Sequence, residues 1–409
     1  MRKLFAILLT FCMVFSFVSF AGADEVTITF AFWDNNQEPG MTAIAEAYMA
    51  AHPDVKVEVQ VTPWNEYWTK LEASAMGGSM PDVFWMHSNQ FFKYVTANTL
   101  LPMDFEYDYS PYPAGVTALY TYNDVHYAVP KDYDTIALVY NKEIFEEAGA
   151  EVPATYDELL DTCQKIKDAG YTPITISAGT AWCLSMLAGY LCDREGVDLP
   201  AINSGEESWV QDKTIAAGEK LLELSQYFQE TAAGDSNDDA TMAFAMGDAA
   251  ILIQGSWAIG QMNAYNPDIE EKCGVFQFPA IEGGGDPGRT IAKSDSLAVS
   301  ATSKCPEGAV ELIKYFTDDE AQKYTAEVGG KIPVTKVEFD LEVAPAQLAD
   351  VMDVFSNATG TFGFYNESLV SSDAGSEFDN EMVAIFQQEK TPEEAFQAVE
   401  DWYAEEGYR

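Results

Sequence analysis

Positive charge is what this sequence has least of. Twenty-two lysines and arginines stand against 66 aspartates and glutamates, a net charge of -44 over 409 residues. So negative a surface repels phosphate backbones and anionic lipid, which argues against binding to nucleic acid or to a membrane surface. Histidine is scarce as well, at three residues. His52, His87 and His126 are well separated and read as surface or packing residues, not as catalytic bases. No G-x-S-x-G, P-loop or H-E-x-x-H string is present. Asp235, Asn237 and Asp239 imitate the first ligands of a calcium loop. Ala240 stands where its glycine is required, however, and Met246 where its closing glutamate is. The sequence therefore calls for no metal, no cofactor and no catalytic residue.

Long apolar runs are missing except at the start. Arg2 and Lys3 precede an acid-free stretch from Leu4 to Phe20, followed by the small-x-small site Ala21-Gly22-Ala23. This is the pattern of a signal peptide over residues 1–23, cleaved after Ala23, and it predicts an exported chain, periplasmic or extracellular. Cys12 is preceded by Phe11 and lies too early in the run for a lipobox. Beyond the leader lie Cys163, Cys183, Cys192, Cys273 and Cys305, an odd and scattered set that reads as buried thiols, although one pair could bond.

With 47% hydrophobic and 22% charged residues, the chain has material for two or three packed domains at roughly 100–200 residues each. Val26, Ile28, Phe30 and Phe32 alternate with smaller or polar residues, as do Val55, Val57, Val59 and Val61. This is the period of strands. A helical stretch carrying Ile44 and Tyr48 separates them, so the unit is βαβ and the sheet parallel. Asp82 to Met86 reads as a buried strand and Ile174 to Ser177 as another. Thr155–Glu158 and Thr391–Glu394 are capping boxes at helix starts, and Thr317–Glu320 follows the same pattern. Gly283–Gly288 is a loop. The fold class is α/β throughout.

Tryptophans recur where strands end. Trp33 opens the run Trp33-Asp34-Asn35-Asn36-Gln37, and Trp85 is followed by Ser88 and Asn89. Trp182 and Trp257 each follow a strand and a short turn. Ligands of open parallel sheets sit at the carboxyl ends of strands. An indole there can lie against the C–H face of a sugar while amides bond its hydroxyls. The competing reading is core packing, the common fate of tryptophan. Trp64, Trp68, Trp209 and Trp402 are assigned to packing on this ground.

Several of these segments also carry a family likeness. Pro130–Glu147, with its Val139-Tyr140-Asn141 core, resembles the fingerprint of the extracellular solute-binding proteins of family 1, the maltose-binding type that serves ABC importers. It departs from the pattern at Lys131, where an apolar residue is usual. Ala243–Trp257 resembles the family's helix-Gly-strand-Gly-x-Trp element, and Pro81–Trp85 and Ala309–Thr317 also fit. The resemblance implies a type II periplasmic-binding-protein fold, two α/β lobes joined by crossing hinge strands. Crossings are expected near Val129–Asp134, Gln277–Ala280 and Lys331–Val334. Lobe 1 would comprise residues 24–130 and 280–332, and lobe 2 residues 131–279 and 333–409.

The function so implied is capture of a sugar or short oligosaccharide by hinge closure, as a monomer, with delivery to the transmembrane subunits of an ABC permease and no enzymatic step. Trp33 and Trp85 would face Trp182 and Trp257 across the cleft. Asn36, Gln37, Asn89, Asp132 and Asp295 would supply directional hydrogen bonds, and Asp295 could alternatively cap a strand. Two other classes stay open. A binder of a polyamine or amino acid could hold an ammonium between aromatics and Asp132 and Asp134. A secreted carbohydrate-active enzyme would use one of the many carboxylate pairs.

Overall fold

The computed structural model describes residues 26–33, 35–104 and 107–409. The leader, its cleavage site and Asp34 lie outside them. The strands are β1 (Val26–Phe32), β2 (Val55–Val61), β3 (Val83–His87), a small hairpin of β4 (Thr121–Tyr122) and β5 (Val125–His126), β6 (Ala128–Pro130) and β7 (Asp132–Asn141). They continue as β8 (Thr172–Thr175), β9 (Ala249–Gly255), β10 (Cys273–Phe276), β11 (Arg289–Lys293), β12 (Asp295–Val299), β13 (Ile332–Pro333) and β14 (Gly360–Phe362).

Two sheets organise the molecule. The first has the order β2-β1-β3-β12-β6. Its β1 and β2 pair in parallel along their whole length, Val26 opposite Val55 and Phe32 opposite Val61, with helix Glu38–Ala51 as the crossover. The second has the order β14-β11-β7-β9-β8, with β10 and β13 also paired to the ten-residue β7. Each sheet is covered on both faces. In the first, Ile28, Phe30, Val83 and Trp85 pack towards helices Glu38–Ala51 and Pro306–Phe316. The intervening Ala31, Phe84 and Met86 pack towards helices Trp64–Met76 and Ser88–Thr96.

That alternation decides the fate of Trp85. The sequence places it at the end of a strand, but β3 runs on through Met86 to His87, so Trp85 is a mid-strand residue sharing a face with Val83. Its side chain is fully buried, 5.0 Å ring to ring from both Phe32 and Trp33. Trp85 is a core residue and cannot be a wall of the cleft.

Among the described residues the chain passes between the sheets three times. It leaves the first at Pro130 and enters the second at Asp132, then returns between Lys293 and Asp295, and Ile332 pairs with Tyr133 at the third passage. The second passage falls at Ser294, not near Gln277–Ala280, because β11 pairs with β7, Ala292 opposite Thr135 and Lys293 opposite Asp134. Residues 289–293 therefore belong with the second sheet.

Helix starts follow the expected chemistry at two of the three motifs. Thr155 with Glu158 and Thr391 with Glu394 form reciprocal capping boxes. At the third the cap is Asp318, which accepts from the Ala321 N–H, while the Thr317 hydroxyl bonds back to the Ile313 carbonyl. All five described cysteines are free thiols, and only Cys305 is not buried. No helix among the described residues is long and apolar enough to cross a membrane.

Truncating a fully buried Trp leaves a large cavity, so Trp85→Ala should lower unfolding free energy by about 3–5 kcal/mol in a urea titration. A loss below about 1 kcal/mol would contradict its place in the core.

Candidate functional site

A cavity of about 520 Å³ lies between the two sheets' domains. The first lobe contributes Trp33 from the end of β1, Trp64 and Trp68 from one face of helix Trp64–Met76, and His87 and Asn89 from the end of β3. The second contributes Trp182, at the start of helix Trp182–Glu195, Trp257 and Phe364. Lys293, Asp295 and Lys331 lie at its floor, where the chain crosses.

Each wall is an aromatic corner. Trp33 lies 5.1 Å from Trp64 and 5.5 Å from Trp68, and its edge meets the buried Trp85. The core ring thus supports the wall from behind. Opposite, Trp182 lies 5.9 Å from Trp257, and both lie 6.2 Å from Phe364. Gly255 explains the spacing of the Gly-x-Trp element. A Cβ there would fall 2.0 Å from the Trp257 ring, so only glycine lets the indole lie back over the end of β9.

The floor is an ionic cluster built by all three crossings. Lys331 Nζ lies 3.1 Å from Asp132, 3.3 Å from Asp134 and 3.9 Å from Asp295. Lys293 Nζ is 3.1 Å from both oxygens of Asp295 and 3.3 Å from Asp134. Lys131 pairs with Asp132 and sits 3.8 Å over the Trp85 ring. The three carboxylates bring oxygens within 4.8 Å of one another, a spacing suited to a cation. Here Lys331 supplies that cation from the chain itself. Burial opposes the ionisation of Asp295, but Lys293 and its neighbours outweigh it and hold the carboxyl well below the usual range. Burial likewise opposes Asp132, which Lys131 and Lys331 keep ionised.

Other carboxyls behave differently. Burial pushes Glu367 up to about 8 and Asp379 up to about 6, and it pushes His87 down to about 4. Several polar atoms of cavity-lining residues are buried with no protein partner. They are the indole N–H groups of Trp68 and Trp182 and the acceptor oxygens Asn366 Oδ1 and Asp379 Oδ1. These atoms are shielded from the cavity by the side chains around them, and burial without a partner is costly for each.

Of the residues singled out from sequence, Trp33, Asn89, Trp182, Trp257 and Asp295 line this cavity. Trp85 does not. Neither does Asp132, which is fully buried, its Oδ1 accepting from the Asp295 N–H and its Oδ2 facing two lysines. It organises the floor and is not free to bond a ligand. Gln37, on a 3-10 turn with Asn35, stands outside the lining. The Asn36 side chain lies outside what the structure describes. Trp64 and Trp68, read as packing, are walls. Their i, i+4 spacing at the start of a helix was the available signal, since it puts both rings on one face. Asn237 starts a helix, Asn366 and Glu367 stand in the loop after β14, and Asp379 lies in the middle of helix Ser372–Phe386; as polar residues they are announced by no apolar period.

The comparisons agree with this architecture. Residues 34–323 match the family model described as bacterial extracellular solute-binding protein. Among curated relatives, the multiple sugar-binding protein of Streptococcus mutans is 26% identical, the match covering 78% of this chain and 77% of that protein. The maltotriose-binding protein of Pyrococcus abyssi is 28% identical, over 76% and 67%. Among solved structures, one from a study of xylan utilization by Caldanaerobius polysaccharolyticus superposes with a TM-score of 0.87 at 25% identity, covering 92% of this chain and 100% of that one. A chitin oligosaccharide binding protein superposes at 0.82 with 22% identity, over 93% and 98%. With two α/β lobes, three crossings and an aromatic cleft between them, the chain belongs to the bacterial extracellular solute-binding proteins.

Proposed function

We propose that this chain is the substrate-binding component of an ABC importer, which takes a neutral sugar or short oligosaccharide into the cleft and presents it to the transmembrane permease. The observation that carries the reading is the pair of indole corners on opposite lobes, either side of a cavity whose lining also holds polar side chains. Pyranose rings are amphipathic in the same way, with C–H faces to stack and hydroxyls at the edge. The relatives named above, a multiple sugar-binding protein and a maltotriose-binding protein, point to the same ligand class.

Closure supplies the affinity. A ligand touching both walls binds the shut cleft better than the open one, which is the only way it can shift the balance between them. Micromolar binding needs about -8 kcal/mol, within reach of two or three stacked rings and several hydrogen bonds in a site closed to water. The protein works as a monomer, without nucleic acid, and is exported with its leader removed after Ala23. Capture and release need no bond to be made or broken.

The polyamine reading loses its main support at the floor. Asp132 and Asp134, the carboxylates it would use, already face Lys131, Lys293 and Lys331.

The test is a thermal-shift and calorimetric screen of the mature chain against oligosaccharides, polyamines and amino acids. A neutral oligosaccharide should raise the melting temperature in a concentration-dependent way. Trp257→Ala should weaken it at least about tenfold, the loss of one stacked ring at about 1.4 kcal/mol. Full retention of binding by that variant would sink the stacking site. A shift from polyamines alone would sink the sugar.

Lys331 offers a test of the floor. Lys331→Met leaves Asp132 and Asp134 short of a counter-charge, and removing one partner of a buried pair costs about 3–5 kcal/mol. Urea denaturation should read that loss, and an unchanged midpoint would show that the cluster does not hold the crossings together.

A further inference from the structure

The second lobe lines the cleft with three side-chain amides, Asn237, Gln261 and Asn366. An amide has two N–H donors on one side and an acceptor oxygen on the other, so whatever holds one side decides which side a ligand meets. Gln261 uses its nitrogen within the chain, 2.8 Å from Asp238 Oδ1 and 3.1 Å from the Tyr265 hydroxyl. Asn366 does the same, its Nδ2 donating to Asp379 Oδ2 at 3.2 Å. Asn237 alone of the three is held by its oxygen.

The hold is a relay that begins at a group with no choice. The Gly255 backbone N–H can only donate, and it meets Gln254 Oε1 at 3.1 Å. Gln254 is buried near the end of β9 and does not line the cavity. With its oxygen so engaged, its Nε2 is the donor that bonds Asn237 Oδ1. The Cys183 thiol donates to the same oxygen from 3.8 Å, and burial pushes that thiol up, so it keeps its proton. The Asn237 backbone is fixed as well, its N–H donating to Thr180 Oγ1 at 3.2 Å where helix Asn237–Ala245 begins. Thr180 and Cys183 flank Trp182, and Gln254 shortly precedes Trp257, so these bonds anchor the amide to the segments that carry both rings. Nδ2 is left over. No acceptor among the described residues meets it, and it is not sealed in the interior.

We propose that Asn237 is a hydrogen-bond donor from the second lobe to the ligand, and that Gln254 is the positioning residue that keeps it one. This rests on the capture reading above. The same wall is rich in acceptors, Asp238 and Asp373 among them, and an ionised carboxylate cannot donate. A sugar hydroxyl that gives its hydrogen to such a group keeps an oxygen in need of a donor. With the nitrogens of Gln261 and Asn366 engaged elsewhere, the Asn237 Nδ2 meets that need beside the indole corner. Gln254 acts at one remove, since an amide free to turn over would present oxygen to oxygen half of the time.

The experiment is calorimetric titration of the mature chain and its variants with the best-binding oligosaccharide. Asn237→Asp keeps an oxygen for Gln254 and Cys183 but turns a second acceptor towards the ligand, so affinity should fall at least about tenfold. Gln254→Glu still accepts from Gly255, yet its other oxygen cannot donate, and the Asn237 amide must turn over to meet it. That variant should lose about as much without touching the ligand. Asn237→Ala should weaken binding too, and adding Gln254→Glu to it should cost less than about twofold more, because the group it acts through is gone. Wild-type affinity in Asn237→Asp or Gln254→Glu, or losses that add in the double variant, would overturn the proposal. Trp257→Ala would still weaken binding in that case, and capture would stand. Absence of binding to any carbohydrate by wild type would sink capture and this role with it. Nitrogen-15 spectra of the asparagine side chains give a reading that needs no buried substitution, with the Asn237 signal assigned by its loss in Asn237→Ala. Ligand should shift the Nδ2 protons and slow their exchange with water, and an unmoved pair would overturn the donor.

Discussion

The mutual neutralisation of three lysines and three aspartates at the crossings is the constraint on which the rest depends. Lys131 and Asp132 come from the first passage between the sheets, Lys293 and Asp295 from the second, and Lys331 from the third, with Asp134 two residues into β7. The second passage is balanced by its own Lys293 and Asp295, but the first carries one aspartate more than its lysine and the third a lysine with no aspartate. Asp132 and Asp134 need Lys331, so the first and third strands must lie together before these charges can leave water. Buried charges left unpaired cost several kcal/mol each, which makes the cluster a strong selector of register even where its net contribution to stability is small. The same grouping gives the cavity a rigid floor, and so fixes the separation at which the two aromatic corners face each other.

Much of the fold was legible because it rests on periodicity. Strands β1 and β2 announce themselves by alternation, the helix between them makes the pair parallel, and the capping boxes at Thr155 and Thr391 mark helix starts through local bonding that needs no tertiary context. The crossing at Ser294 was not legible in this way. Arg289–Lys293 and Asp295–Val299 read as one continuous extended stretch, and nothing local says that its first half pairs with Thr135 while its second pairs with Trp85 and Val129. Pairing partners are long-range information.

The candidate site divides along the same line. Trp182 and Trp257 were placed at the cleft because each follows a strand and a turn, and both line the cavity; Gly255 carries a local reason for the second. Trp85 went astray by parity, since a strand two residues longer puts the ring inside. Asp132 went astray for an electrostatic reason. A carboxylate beside a cleft looks like a hydrogen-bond acceptor until lysines 199 residues away in sequence, and next door, claim its oxygens. Lys131, the departure from the family fingerprint, is one of those lysines, and its place over Trp85 shows what an ammonium gains at a position usually apolar.

Charge balance at the floor also bears on what the cleft can accept. The cluster is satisfied internally, with Glu367 held protonated and His87 neutral beside it. A ligand carrying a full charge would arrive at a low-dielectric floor with no counter-charge to spare, and its desolvation would go uncompensated. A polyhydroxylated neutral molecule meets no such penalty. It can stack on both indole corners and exchange hydrogen bonds with the polar side chains of the lining, Asn89 and Asn237 among them. The strongly acidic exterior adds to this selectivity by repelling anions before they reach the cleft, while exerting no long-range force on an uncharged solute. The floor therefore favours a neutral ligand, because its own lysines and aspartates already neutralise one another.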